Sequence, residues 1–307
     1  MKAVIPVAGL GTRLLPHTKK RQKCLLPVAG KPVIDHILEP LVRQNFHPIV
    51  LITGHLEDQV RAHVEKYNAH FEFVRQSEPL GLGHAIFLGL EESDDPVLIQ
   101  LGDVIYHLDF GTFCRSPHHR IAVDTVPDPE RFGVVETDGD RVTKLHEKPD
   151  RPPTNLAVIG LYYLSNQRVL WEAINTNMRK RITTRGEVQL TDAFQRMVTE
   201  GESITWVRVS RWFDCGIPET FLSSNRRLLT PSGLRIEGSE IIEPVSIGRD
   251  CTVVNSRVGP HVTLMDGCRV SNSTVTDAIV LWNARLEGVT VHHTIVEEGS
   301  PPREGVQ

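Results

Sequence analysis

The chain has 307 residues, enough to bury a sizeable core in one large or two smaller domains. Its 34 Lys and Arg against 38 Asp and Glu give a net charge of -4, which argues against broad binding to nucleic acid or a membrane surface. No apolar run reaches the roughly 20 residues that span a bilayer, and the N-terminus lacks the basic-apolar-cleavable layout of a secretion signal. The five cysteines (Cys24, Cys114, Cys215, Cys251, Cys268) are scattered and include no C-x-x-C pair. They are expected to be reduced thiols in a cytoplasmic protein, not a disulfide or zinc framework.

In chain order, the first hundred residues alternate strand and helix signals. KAVIPVA is a short apolar run, and KPVIDHILEPLVRQNF sets Val33, Ile34, Ile37, Leu38, Leu41 and Val42 on one helical face. HPIVLITG, FEFVRQ and PVLIQLGDV read as strands, with LEDQVRAHVEKY and GHAIFLGLEE as amphipathic helices between them. Such alternation predicts right-handed βαβ crossovers and a mainly parallel sheet covered on both faces, a Rossmann-like three-layer α/β sandwich. Ligands of such sheets bind beyond the carboxyl ends of the strands, where the loop after the first strand and Asp103 would lie.

The middle of the chain changes character. FGVVETDGDRVTKLHEKP alternates apolar and polar residues around Asp138-Gly139, a hairpin signal, and LAVIGLYYL is another strand. Helices are predicted near 166–175 and 187–200. SITWVRVSRWFDCG reads as a strand and IPETFLSSNRRLL as a helix, with Pro218 suited to its first turn. From Gly238 to Val296 there is no helical pattern. Apolar residues recur there every five or six positions, among them Ile247, Val253, Val258, Leu264, Val270, Val275, Leu281, Leu286 and Val291. This hexapeptide-type repeat predicts a parallel β-helix of about three coils, with a small β-sandwich as the alternative. The expected organisation is therefore a first domain over 1–232, a β-helix over 233–297 and a disordered tail over 298–307.

One loop stands out against the near-neutral background. Between Val7 and Pro32, in VAGLGTRLLPHTKKRQKCLLPVAGKP, lie Arg13, Lys19, Lys20, Arg21, Lys23 and Lys31. A dinucleotide fingerprint would need a small residue where Leu14 stands and an uninterrupted helix, which Pro16, Pro27 and Pro32 forbid. No G-x-x-x-x-G-K-[ST] occurs either. What remains is an irregular loop in which Gly9 and Gly11 let the backbone approach an anion, Thr12 and Arg13 add donors, and Lys23 and Lys31 can fold back over it. A solvated surface loop is the alternative.

These residues carry a resemblance. AGLGTRLLP…KCLLPVAGKPVI resembles the signature of the sugar-1-phosphate nucleotidylyltransferases, with Arg13 and Lys23 at its basic positions. QSEPLGLGHAI, LGDVIY, HEKP, NLAVIGLYYL, GEVQLTDA and WFDCG follow in the family's order, and the C-terminal repeat resembles the left-handed β-helix of long-form glucose-1-phosphate thymidylyltransferases. IPVAGLGTR has the single-glycine form common in UTP–glucose-1-phosphate uridylyltransferases. The resemblance implies a nucleotidyltransferase fold with a C-terminal left-handed β-helix. The reaction it implies joins a pyrimidine nucleoside triphosphate, dTTP or UTP, to a hexose 1-phosphate and releases pyrophosphate. A non-catalytic nucleotide-sugar sensor is the competing class, and an acyltransferase role for the β-helix is disfavoured by its few coils.

The same resemblance implies roles. Ala8, Gly9, Gly11, Thr12 and Arg13 would meet the triphosphate, with Lys23 on the transferring phosphoryl group. Gln76 and Gly81 would read the O4 and N3–H edge that uracil and thymine share. Asp103 and Asp214, each closing a strand, would hold Mg²⁺. Gly133, Glu147, Lys148, Val158 and Glu187 would form the sugar-phosphate pocket. His84, His118, His119, His292 and His293 have no metal-ligand spacing and are read as structural or exposed. The β-helix is expected to cap the enzyme or assemble it into a homo-oligomer without contributing catalytic residues.

Overall fold

A computed structural model describes residues 1–299, so all but the first two residues of the tail expected to be disordered lie outside the described residues. The chain divides into two compact units: Met1–Gly9 with Ile37–Trp212, and Leu10–His36 with the chain from Phe213 onward. The basic loop thus groups with the C-terminal segments.

The first unit is built on a nine-stranded sheet. Its strands are β1 (Lys2–Pro6), β2 (Ile49–Thr53), β3 (Phe71–Arg75), β4 (Val97–Gln100), β5 (His119–Thr125), β6 (Gly133–Asp138), β7 (Arg141–Glu147), β8 (Leu156–Leu164) and β9 (Ile204–Arg208). Their order is β3-β2-β1-β4-β8-β5-β9-β7-β6. The first four are parallel, as the alternation of strand and helix predicts, and β8 and the β6–β7 hairpin enter antiparallel. β5, which the sequence reading passes over, lies near the sheet centre between β8 and β9. SITWVRVSRWFDCG is broken after Arg208, and only Ile204–Arg208 joins this sheet.

Strands β1, β2, β4 and β8 are apolar and buried along nearly their whole length, as strands covered on both faces are. Val4, Ile52, Ile99, Ile121 and Val123 meet apolar residues of α3 (Leu82–Gly89), α4 (Gln167–Arg179) and α5 (Leu190–Thr199) in one buried cluster. Here Tyr162 of β8 stacks on Phe194 of α5, ring centroids 4.9 Å apart. Such a pair adds about 0.5–1.5 kcal/mol beyond its area. Two other helices precede these, α1 (Val33–Arg43) and α2 (Glu57–Val64). The apolar pattern runs on to Phe46, but α1 stops three residues earlier. Asn45 turns left-handed there (φ 57°), and the Phe46 N–H bonds back to the Leu41 carbonyl at 3.0 Å.

The second unit carries α6 (Pro218–Leu228) and the β-helix. The β-helix strands are β10 (Glu240–Ile241), β11 (Val245–Ile247), β12 (Thr252–Val254), β13 (Arg257–Val258), β14 (Val262–Leu264), β15 (Arg269–Ser271), β16 (Thr274–Val280), β17 (Arg285–Glu287) and β18 (Thr290–Val296). All their pairings are parallel, with Val253 beside Val270 and Val270 beside Leu286, so the coil repeats every 16 or 17 residues. That length is three of the short apolar periods, one per face of a left-handed β-helix. Inward residues stack in columns, Val258–Val275–Val291 and Leu264–Val280–Val296, all buried. The corners need left-handed backbone, and Asn255 and Asn272, then His261, Asp277 and His293, and Asp250 and Asn283 supply it. Asn and Asp tolerate this conformation best among residues with a side chain.

A polar junction fixes α6 against this stack. Asp277, 8% exposed, accepts from Arg226 Nε on Oδ1 at 3.0 Å and from Nη2 on Oδ2, and His293 Nδ1 lies 2.6 Å from that same Oδ2. Burial pushes the Asp277 carboxyl up, but the Arg226 and His293 bonds outweigh it and hold its pKa below the ordinary range. A depressed carboxyl contributes stability above its unfolded value, near pH 4, and loses it as pH falls through the folded value. Asp277→Asn should therefore cost about 1–3 kcal/mol at neutral pH. Denaturant melts should show that deficit shrinking below about pH 4; a deficit independent of pH would contradict the assignment.

Candidate active site

In the first unit the predicted residues gather at the carboxyl ends of β3, β2, β1 and β4, where an open parallel sheet binds ligands. Gln76 follows β3 and donates its N–H to the Thr53 carbonyl at the end of β2 (2.8 Å). Ala8 and Gly9 follow β1, and Asp103, half-buried, follows β4. Two glycines let these ends close up. A Cβ on Gly54 would lie 3.0 Å from the Ala8 carbonyl oxygen, and one on Gly102 would lie 2.5 Å from that of Pro6.

Gln76 and Gly81, which the family resemblance pairs, do meet. Gln76 Nε2 donates to the Gly81 carbonyl at 3.2 Å and lies 3.1 Å from His84 Nδ1. With Nε2 turned to both of these groups, Oε1 is the atom left to face a ligand. His84, set aside as structural, thus orients this amide. Gly81 has φ +111°, and a Cβ there would lie 2.7 Å from the Val188 carbonyl oxygen and 2.9 Å from Glu187 Cβ. The turn before α3 therefore packs directly on the Glu187 segment, and Gly83 N–H bonds the Val188 carbonyl at 2.8 Å.

A second cluster forms at the end of β7. Gly133 and Glu147 are direct neighbours across the β6–β7 hairpin. The Glu147 carboxylate, 8% exposed, accepts from Thr191 Oγ at 2.7 Å and pairs with Lys148 Nζ at 3.0 Å. Lys148 takes a left-handed backbone (φ 42°), and Arg185 Nη2 donates to its carbonyl at 2.8 Å. Val158 is buried on β8, just before the register of β8 against β5 shifts. Glu187 is exposed and accepts from Gln189 Nε2 at 3.2 Å.

In the second unit Gly11 turns left-handed (φ 65°) and leads into a short 3-10 turn, Thr12–Leu14, that leaves Arg13 exposed. Thr18 Oγ bonds the Gly11 carbonyl at 2.8 Å. A Cβ on Gly11 would lie 2.8 Å from Thr18 Cγ2 and 3.1 Å from Lys23 Cβ, so glycine is what allows the two basic segments to pack together. Gln22 caps the next turn, its Oε1 accepting from the Cys24 N–H at 2.6 Å, and Lys23 opens that turn half-buried. Asp214 is half-buried; its Oδ1 accepts the Gly216 N–H (2.7 Å) and its carbonyl accepts from Ser224 of α6 (2.7 Å). Asp103 and Asp214 are oxygen donors of the kind a hard divalent cation takes.

Residues 2–230 match the nucleotidyl transferase family. The chain belongs to that family. The glucose-1-phosphate thymidylyltransferases of Streptomyces griseus and Streptomyces antibioticus are 31% and 32% identical to it, over 94% of this chain and 89% of theirs. The structure is also similar to a UDP-glucose pyrophosphorylase from Acinetobacter baumannii, with a TM-score of 0.59 and 25% identity. That match covers 74% of this chain and 92% of the other. As a nucleotidyl transferase the chain is an enzyme, and no helix among its described residues is long and apolar enough to cross a membrane.

For this nucleotidyl transferase, reading the sequence missed Thr191, Arg185 and Asp192, although GEVQLTDA contains two of them. Asp192 Oδ2 is buried without a hydrogen-bond partner. Burial raises its pKa, a Thr184 hydrogen bond opposes that, and the nearby Glu147 charge adds to it. A raised carboxyl costs nothing while protonated in both states, and stability is lost as pH rises through the folded value. Asp192→Asn, which stays neutral, should melt above the parent chain at pH 7. Thermal melts should show the gain vanishing towards about pH 4; a lower melting point at pH 7 would refute this account.

Proposed function

We propose that the enzyme transfers a nucleotidyl group from dTTP to glucose 1-phosphate, releasing pyrophosphate and forming a nucleotide sugar. The observation that carries the base assignment is the Gln76–Gly81 contact. Gln76 Oε1 is left to accept from a base N3–H, and the Gly81 N–H can donate to O4. Uracil and thymine present that edge, whereas cytosine reverses both groups. The Streptomyces relatives support dTTP. UTP is the second reading, supported by the single-glycine IPVAGLGTR segment and the likeness to a UDP-glucose pyrophosphorylase.

In this reading a phosphate oxygen of the sugar 1-phosphate attacks the α-phosphorus, the new P–O bond forms, and the bond to the bridging β-phosphate oxygen breaks. Pyrophosphate leaves with that electron pair. The nucleophile is already ionised at neutral pH, so no general base is needed, and the chemistry rests on holding two polyanions together. Arg13 grips the outer phosphates through its planar fork, and Lys23 meets the transferring phosphoryl group. Lys148, held by Glu147 and Arg185, takes the sugar phosphate, while Glu147 and Glu187 bind sugar hydroxyls and Gly133 and Val158 shape that pocket. Mg²⁺ is the cofactor of this reading, with Asp103 and Asp214 as the carboxylates assigned to it. When bound it would neutralise phosphate charge. We also assign the end of the β-helix to a second copy of this chain, since a solenoid's open end needs a cover.

Pyrophosphate release tests the reading in two ways. Asp103→Asn and Asp214→Asn should each lower kcat by about 10²–10³ while leaving thermal melts near the parent value. Gln76→Ala should narrow the preference for dTTP and UTP over CTP. Equal loss with all three nucleotides would remove Gln76 from the base site.

A further inference from the structure

Arg21 is one of six cations in the basic loop, yet it faces the β-helix. Its guanidinium carbon stands 3.9 Å from the centroid of the Trp282 ring, and Nη2 lies 2.9 Å from Glu298 Oε2. Trp282 stands on a stiff support. It sits beside the corner residue Asn283, whose N–H bonds the Asp266 carbonyl (3.1 Å), while Leu281 N–H bonds the Val296 carbonyl (3.0 Å). Glu298 follows β18 closely in the chain. The middle of the loop is thus held by the last coil.

The loop's far end is anchored separately. Ala29 N–H donates to Asn225 Oδ1 of α6 at 2.8 Å, and that oxygen also accepts from Thr263 Oγ at 2.7 Å. Gly30 packs so close that a Cβ would lie 2.2 Å from Ser246 Oγ. Arg13 and Lys23 lie on either side of Arg21 in sequence, and both precede this anchor.

A guanidinium stacked on an indole and paired with a carboxylate is neutralised and partly desolvated, a poor state in which to fork onto a phosphate. The loop's own backbone bonds are short local turns, such as Leu14 N–H to the Gly11 carbonyl and Leu26 N–H to the Lys23 carbonyl, which do not fix where the loop as a whole lies, and ordering it beforehand lowers the cost of binding. We infer that Arg21, Trp282 and Glu298 form a clasp by which the β-helix holds Arg13 and Lys23 in place for the triphosphate. Arg21 is a positioning residue and not a phosphate ligand. The inference rests on the reading of this loop as the triphosphate grip.

The test uses the full chain, pyrophosphate release, and dTTP and glucose 1-phosphate varied separately. Arg21→Ala and Trp282→Leu should each raise KM for dTTP roughly three- to ten-fold, with KM for glucose 1-phosphate, kcat and melting temperature close to the parent values. Trp282→Phe, which keeps a ring face, should restore most of the affinity. In a Trp282→Leu background, Arg21→Ala should add little, because the clasp is already open. Full additivity would instead make Arg21 a direct phosphate ligand, and an unchanged KM for dTTP in Trp282→Leu would remove the clasp altogether. Arg13→Ala separates the layers. If it raises KM for dTTP while the clasp variants do not, only the clasp fails; if it leaves KM unchanged, the triphosphate reading fails and the clasp with it.

Discussion

The first unit's candidate site depends on how closely the ends of β2, β1 and β4 approach one another. Where Gly54 and Gly102 stand, a single methyl group would fall 3.0 and 2.5 Å from carbonyl oxygens of Ala8 and Pro6. Backbone against backbone at that distance leaves no room for side chains, so the polar groups that follow each strand converge. Asp103, Ala8 and Gln76 owe their common edge to that approach. The parallel order β3-β2-β1-β4 then decides which residues arrive there.

A different constraint governs the second unit, where the strongly basic loop bonds itself through short turns and the pairing of Pro27–Val28 with Lys31–Pro32. Its placement is set by its neighbours. Asn225 on α6 is 1% exposed and joins three segments, accepting from Ala29 and Thr263 and donating to the His261 carbonyl at 3.3 Å. Leaving any of these buried groups unpaired would cost more than the bond itself contributes. The β-helix is suited to this work because each coil is fixed by its neighbours through in-register columns of buried valine and leucine. If the inferred clasp operates, the β-helix acts on the chemistry through the loop it holds.

Periodicity decides what could be read from the sequence. The parallel strands and the β-helix were legible because burial on two faces, or on one face of a repeating coil, leaves regular apolar marks. Gln76 and Gly81 were legible as a pair only through the resemblance of QSEPLGLGHAI to a family segment. β5 was not, since HRIAVDT mixes charged and apolar residues and is recognised as a central strand only through its neighbours β8 and β9. Arg21 illustrates the same limit. In the sequence it is one more cation among lysines, and only Trp282 and Glu298, more than 250 residues away, turn it toward another task. Asp192 likewise reads as an ordinary acidic residue until burial near Glu147 raises its pKa.

The central claim is that the enzyme moves the α-phosphoryl end of the nucleotide onto a sugar phosphate. Following isotopic label tests it most directly. With glucose 1-phosphate and dTTP labelled at the α-phosphorus, label should appear in a sugar nucleotide; with dTTP labelled at the γ-phosphorus, it should appear in pyrophosphate. Label from the γ position appearing as inorganic phosphate, with none from the α position joined to the sugar phosphate, would contradict the account.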